Sequence, residues 1–474
     1  MQKELLAVFS GFPDHHFSEE ITKRLRKELT VRNSIVFISA CPLDYDQNDQ
    51  DSDGMHEMFV EQGLGFDKHS VIDKRIEPAV ARALVEEADC IFLMGGGVCE
   101  EQLDLIREKG CYEALLDCHA AVFGVSAGSM NMARNTVDFF ESMEAFPGLG
   151  FTNLTVSCHH DPTDTWRYEK TLEMSETRKV YAMEDMSAFF IKKGKIDIVG
   201  SIHCAEDRKL RPITKEDIKE LEQDEFRRIF DTIPDQFDKF RPRYSEELFS
   251  FLNEHVGMGP GKRVLEIGPG TGQATEPVLR TGCDYHAIEL GEHLCRKMQE
   301  KYGDLPNFDI VNDDFITHDF GDMKFDMVYS AATIQWIPEE IAYSKTFDLL
   351  KPGGTLAMMF TTSEYKSENE SLYEKIQALY DKYYKPEISY THRKFDYTAA
   401  PGYGYLGVDK YEFKGQRIFN AEEYVQFSGT HCDHMVIPEP LRSEFFGGLK
   451  NAVLDAGDRI VFNDTYVLYL TKKP

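Results

Sequence analysis

The chain has 474 residues, more than one ordinary domain of about 100–200 residues holds, so two or three units are expected. Its 42% hydrophobic and 28% charged residues describe a globular chain able to bury sizeable cores. The formal net charge of −29 is spread over both halves, and it argues against nucleic acid as a main partner, because phosphate binding needs a basic face.

In chain order, Leu5–Phe9, Ser34–Ser39, Cys90–Met94 and Ala121–Val125 read as buried strands, separated by amphipathic stretches such as Phe17–Leu29 and Glu100–Lys109. Strand–helix alternation predicts a mostly parallel sheet covered on both faces. The polar run Gln47–Gly54 reads as a loop. Residues 205–228 are densely charged, with i,i+4 spacing in their second half, and read as a solvated connecting helix. A second alternation follows through Arg263–Ile267, Tyr285–Leu290, Phe308–Val311, Met327–Ser330 and Thr355–Phe360. The fold expected is α/β, with two doubly wound parallel-sheet domains: residues 1–212, a charged linker at 213–229, and residues 230–474. No apolar stretch approaches 18 residues, the first residues lack the apolar core of a signal peptide, and the ten cysteines contain no CxxC pair. A cytoplasmic protein with reduced thiols and no membrane partner is expected; oligomeric state is left open.

The first chemical constellation is Gly124-Val125-Ser126-Ala127-Gly128, after a strand and before a helical pattern. Flanking glycines permit a sharp turn that exposes a serine Oγ at the sheet edge. Such a serine needs a base and an orienting acid. His159 and His160 are the candidate bases, and Asp138, Glu141 and Asp161 the candidate acids. Oxyanion donors are expected from the Ala127 amide and from the Gly95-Gly96-Gly97 run, chiefly Gly96 and Gly97. The bland alternative is a tight junction at which Ser126 only caps the helix. The ordered set, GGG, then GVSAG, then HH, resembles the dipeptidase E/cyanophycinase family of serine peptidases over about residues 1–212. That resemblance implies a three-layer fold like that of class I glutamine amidotransferases and a Ser–His–acid triad. It implies Ser126 as nucleophile, His160 ahead of His159 as base, Glu141 as acid, and short peptides as substrates.

The second constellation begins at Glu266-Ile267-Gly268-Pro269-Gly270-Thr271-Gly272, a strand running into a glycine-rich turn. Gln273 stands where a dinucleotide fingerprint needs its third glycine, which weakens a nicotinamide-dependent oxidoreductase reading. Glu289 ends the next strand and suits a ribose diol; Asp313, Asp314 and Phe315 end the third; Ser330 to Trp336 end the fourth. These features in this order resemble class I S-adenosylmethionine-dependent methyltransferases over about residues 226–474. The resemblance implies a Rossmann-like sheet and S-adenosyl-L-methionine as cofactor. It implies Glu266, Gly268, Gly270 and Gly272 near the methionine part, Glu289 at the ribose, and Asp314 with Phe315 at the adenine. Ser330, Gln335 and Trp336 would line the crevice, and Arg241 and Tyr244 would belong to a lid segment. Arg241, Arg393 and His431 are candidate partners for an anionic acceptor. No metal site is expected. The expected activity is methyl transfer to a small molecule or peptide, with a carboxylate as one candidate acceptor group, beside a serine hydrolase. The alternative keeps the methyltransferase and makes the first domain an inactive scaffold.

Overall fold

Short runs of β-branched and aromatic residues set the sheet of the N-terminal part. Its strands are β1 (Leu6–Phe9), β2 (Ser34–Ile38), β3 (Lys68–Ile72), β4 (Cys90–Leu93), β5 (Ala121–Val125), β6 (Asn135–Val137), β7 (Ala145–Pro147) and β8 (Val156–Ser157). Then come β9 (Val180–Met183), β10 (Ala188–Lys192), β11 (Lys195–Val199), β12 (Ile202–Glu206) and β13 (Lys209–Pro212). This computed structural model describes residues 5–96, 98–137, 143–386 and 395–474. The chain divides into two units, Met1–Phe226 and Arg227–Pro474.

In the first unit a seven-stranded sheet runs in the order β11-β10-β1-β5-β4-β2-β3. The pairings from β1 through β5, β4, β2 and β3 are parallel, while β10 is antiparallel to both β1 and β11. Alternation along β1 shows why both faces are covered: Leu6 and Val8 enter one core, Ala7 and Phe9 the other. The Phe9 ring meets Phe92, Phe123 and Phe190 at centroid distances of 6.3, 5.8 and 5.7 Å. A four-stranded sheet, β13-β12-β9-β8, lies apart from it.

The second unit carries β14 (Arg263–Ile267), β15 (Asp284–Glu289), β16 (Phe308–Asn312), β17 (Phe325–Ala331), β18 (Leu350–Glu364), β19 (Asp409–Phe419) and β20 (Ile460–Lys472). Their order is β16-β15-β14-β17-β18-β20-β19, parallel up to β18 and antiparallel beyond it. Strand order reverses between β14 and β17, which opens a crevice at their carboxyl ends.

The α/β class with mostly parallel sheets holds in both units. Two expectations are corrected. Gln47–Gly54 lies inside the helix Tyr45–Glu61, where Asn48 is buried and bonds Ser39 Oγ at 2.7 Å, so tertiary contacts override its turn-like composition. The charged helix Lys215–Phe226 is no solvated linker: Leu221 enters the core that holds Leu6 and Val8. Its Glu225 accepts from Thr152 Oγ1 at 2.7 Å and Asn153 N at 2.9 Å, so the boundary falls after Phe226. No helix among the described residues is long and apolar enough to cross a membrane.

Candidate functional site

Ser126 directly follows β5, with φ 54° and ψ −118°, a left-handed conformation that costs a non-glycine residue roughly 1–3 kcal/mol. The short helix Ala127–Asn131 begins immediately after it. Gly128 is required by close packing: a Cβ there would stand 2.1 Å from Leu93 O. Ser129 fixes the turn by donating its hydroxyl to Phe9 O and Gly124 O, each at 2.7 Å. Strain at Ser126 is thus held in place from both sides of the turn.

The base facing Ser126 is His159. Its Nε2 lies 2.9 Å from Ser126 Oγ, and its Nδ1 lies 2.7 Å from Asp185 Oδ1. The expectation of His160 is corrected. Adjacent residues past a strand point in opposite directions, and the left-handed φ of 57° at His159 turns that ring to the serine. His160 instead is buried beside His203, ring centroids 5.5 Å apart, and burial lowers its pKa. Asp161 is turned away as well, accepting from Thr163 N and Oγ1. Glu141 and Asp138 lie outside the described residues, as does Gly97. Gly96 follows Gly95, whose Cα packs against Ser126: a Cβ built there would meet Ser126 Cβ at 3.1 Å.

Asp185 escaped the sequence reading because it sits on the β9–β10 connection, and only the antiparallel pairing of β10 with β1 brings it to the serine. Ser10 and Gly11 complete the support. Ser10 Oγ accepts from His159 N at 2.7 Å and donates to Met183 O at 2.9 Å. A Cβ at Gly11 would stand 2.3 Å from Asp185 Oδ1 and 2.4 Å from His159 Cε1. One signal was available: glycine directly after β1, in Ser10-Gly11, at the carboxyl end of a central strand.

In the second unit the crevice is a cavity of about 890 Å³, within the range of about 300–1,000 Å³ usual for small-molecule sites. Gly268 and Gly270 line it, with φ of 62° and 61°. A Cβ at Gly268 would stand 2.3 Å from Thr333 Cγ2, so the loop closes on the fourth strand only with glycine there. Glu289 is buried, with Oε2 accepting from Gly270 N at 2.9 Å and Oε1 from Gly291 N at 2.8 Å. Burial pushes its carboxyl up to about 7, against the pull of those two amides. Beside it, burial of Asp231 opposes ionisation, but His293 and the Leu294 amide hold its carboxyl below the usual range.

Asp314, Phe315, Gln335, Trp336, Arg241 and Tyr244 also line the cavity. Asp314 is already engaged: Arg227 binds both its oxygens at 2.8 Å, and Ile316 N donates to Oδ1 at 2.9 Å. Three residues expected at the cofactor do not line the cavity. Glu266 points into the core, where Oε2 accepts from Thr275 at 2.6 Å, Tyr329 at 2.7 Å and Tyr285. Burial raises its carboxyl pKa against those bonds. Gly272 faces Met298 and Tyr302, and Ser330 donates back to Ile267 O at 3.3 Å. In each case the residue adjoins a lining residue; strand alternation turns Glu266 and Ser330 to the other side, and Gly272 lies in the turn beyond β14. Arg393 lies outside the described residues, whereas His431 lines the cavity. Sequence reading missed Arg227, Phe230 and Asp231, which come from the helical segment before β14.

Comparison with known proteins bears on both units. Residues 5–199 match peptidase family S51, and residues 265–358 match a methyltransferase domain. The chain joins an S51 peptidase-family domain to a methyltransferase domain. The methyltransferase domain is 47% identical over 53 residues to ribosomal RNA small subunit methyltransferase A of Synechococcus, covering 11% of this chain and 19% of that protein. It is 30% identical over 132 residues to the sterol 24-C-methyltransferase of Saccharomyces cerevisiae, covering 27% and 34%. An uncharacterised methyltransferase of Schizosaccharomyces pombe is 19% identical over 252 residues, covering 52% and 97%. The chain thus spans about a third or less of the first two of these relatives.

The donor set of the methyltransferase domain fits S-adenosylmethionine: glycine backbone for close approach, a buried carboxylate with lone pairs left for a diol, and aromatic walls. Bound there, the cofactor would supply an electrophilic methyl group. Glu289 would hold the ribose, Gly268 and Gly270 would admit the methionine part, and Phe315 would flank the adenine.

Proposed function

We propose that the chain is a bifunctional enzyme: a serine hydrolase of short peptides in the first unit and an S-adenosylmethionine-dependent methyltransferase of a small molecule or peptide in the second. The hydrolase reading rests on the Ser126–His159–Asp185 chain of hydrogen bonds, 2.9 and 2.7 Å long. In it His159 takes the Ser126 proton as Oγ attacks the scissile carbonyl, and Asp185 holds the imidazole with Nδ1 protonated. The Ala127 amide, at the head of its helix, and the Gly95–Gly96 segment beside Ser126 would supply the oxyanion donors. This linkage favours a hydrolase over an inert scaffold, for which no serine–histidine–carboxylate alignment is needed.

In the methyltransferase, this chain's residues bind, orient and exclude water; alignment supplies most of the rate when the nucleophile is already electron-rich. The acidic surface favours small-molecule or short-peptide substrates over nucleic acid. A cytoplasmic setting is supported by the absence of any disulfide among the ten cysteines.

Labelling with a fluorophosphonate tests the first activity. Wild type and His160→Gln are expected to label, while Ser126→Ala and His159→Gln lose about 10⁴-fold in rate or more. Labelling that survives His159→Gln overturns the assignment. Calorimetric titration with S-adenosylhomocysteine tests the second; no binding at high micromolar concentration overturns it.

A further inference from the structure

The charges that line the methyltransferase cavity are almost all neutralised from within. Arg227 is held by both oxygens of Asp314, Asp231 by His293 at 2.7 Å, and Asp433 receives the Tyr384 hydroxyl at 2.6 Å. Glu289 receives two backbone amides. Two lining arginines are exceptions: Arg228, whose buried Nη1 has no hydrogen-bond partner, and Arg241. Arg241 follows the helix Pro234–Phe240, lines the cavity, and has no carboxylate within ion-pair distance among the described residues. Its guanidinium lies over the rings of Phe230 and Phe237, 5.2 and 5.3 Å from their centroids. Those rings orient the cation by its face, yet they leave its five N–H donors without an acceptor.

The charge is also isolated electrostatically. Burial and the neighbouring Arg241 charge hold His431 well below the usual histidine range, so that ring is neutral at pH 7 and offers Arg241 no competition. His431 Nδ1 lies 3.2 Å from Ser428 O, which fixes Nδ1 as the protonated nitrogen. A guanidinium resting against two adjoining rings on a cavity wall, without a carboxylate partner, is a receptor for a planar oxyanion.

We propose that Arg241 anchors the methyl acceptor by an anionic group, so that the acceptor class is small molecules or peptides carrying a carboxylate or phosphate. This rests on the methyltransferase reading. The competing occupant is the carboxylate of the cofactor's own methionine part. Two observations favour the acceptor. Phe237 meets the Gly270 position with its ring edge, 2.8 Å from where a Cβ would stand, and meets Arg241 with its face. The arginine that does reach the glycine loop is Arg243, whose Nη1 donates to Gly272 O at 3.3 Å. Burial acts most on Arg241, and the charged groups that act on it are Arg417 and Asp433 rather than groups of the glycine loop.

Equilibrium dialysis of the full chain with radiolabelled succinate and, separately, radiolabelled inorganic phosphate tests this at constant ionic strength. Each is run with and without saturating S-adenosylhomocysteine. Wild type is expected to retain at least one of the two anions, and which one it retains separates a carboxylate from a phosphate acceptor. Arg241→Gln is expected to weaken that binding at least tenfold while S-adenosylhomocysteine affinity stays within about threefold; Arg241→Lys falls between. Retained S-adenosylhomocysteine binding certifies that the variant is folded. Anion binding that is absent in wild type, or unchanged in Arg241→Gln, overturns the proposal. So does a tenfold loss of S-adenosylhomocysteine affinity in both Arg241 variants, which would assign the arginine to the cofactor. Failure of wild type to bind S-adenosylhomocysteine while anions still bind through Arg241 would overturn the methyltransferase reading and leave the anion site standing.

Discussion

Glu289 shows how one buried carboxyl couples fold stability to ligand binding. Its two oxygens accept backbone amides from Gly270 and Gly291, and burial raises its pKa to about 7. Because the folded-state pKa lies above the usual 4.5 of an unfolded chain, the native state binds the proton more tightly, and this group's contribution to stability falls as pH rises from about 4.5 through about 7. Ligand binding runs the other way, since ribose hydroxyls donate best to the ionised form. S-adenosylhomocysteine affinity is therefore expected to rise between pH 6 and pH 8 in wild type. In Glu289→Gln, affinity is expected to be at least tenfold weaker and free of that rise, because one backbone amide then faces an NH₂ group. Calorimetric titrations at the two pH values check both; a flat wild-type profile would rule out Glu289 as the ribose acceptor. At this scale the sequence was readable where chemistry demands a residue type at a strand end, as at Ser126, Gly268 and Glu289. It was unreadable where facing decides, since His159 and His160 differ only in a backbone torsion.

The helix Lys215–Phe226 illustrates the element scale. Its Glu and Lys spacing looks solvated from sequence alone, yet Ile218 and Leu221 pack on the first unit, and Glu225 is buried. Arg211 anchors its first turn through both oxygens of Asp217, and the Arg211 guanidinium with the Thr214 hydroxyl and amide holds that carboxyl well below its usual range. Removing the buried acceptor with Glu225→Ala leaves Thr152 Oγ1 and the Asn153 amide unpaired, at a cost of about 1–3 kcal/mol. The midpoint for loss of fluorophosphonate labelling in urea should fall accordingly, while that for S-adenosylhomocysteine binding stays put. An unchanged labelling midpoint would mean the helix is peripheral to the first unit. Parallel strands were legible because burial on both faces makes them continuous apolar runs. The antiparallel strands β10 and β11 were not, and with them went Asp185, since pairing direction depends on partners far along the chain.

For the whole molecule, each unit has its own cores among the described residues: buried clusters built around β1 and β5 in the first, and around β14 and β17 in the second. The −29 charge is likewise shared between them, and so distinguishes neither site. Two sites on separately cored units should titrate independently unless a ligand shifts an equilibrium common to both. Ser126→Ala is therefore expected to leave S-adenosylhomocysteine affinity within about twofold of wild type. Saturating S-adenosylhomocysteine should in turn leave the fluorophosphonate labelling rate within about twofold. A fivefold change in the labelling rate corresponds to about 1 kcal/mol in activation free energy. It would show that occupancy of the methyltransferase alters Ser126, His159 or Asp185, and would replace independence with regulation of the hydrolase by methyl-donor supply.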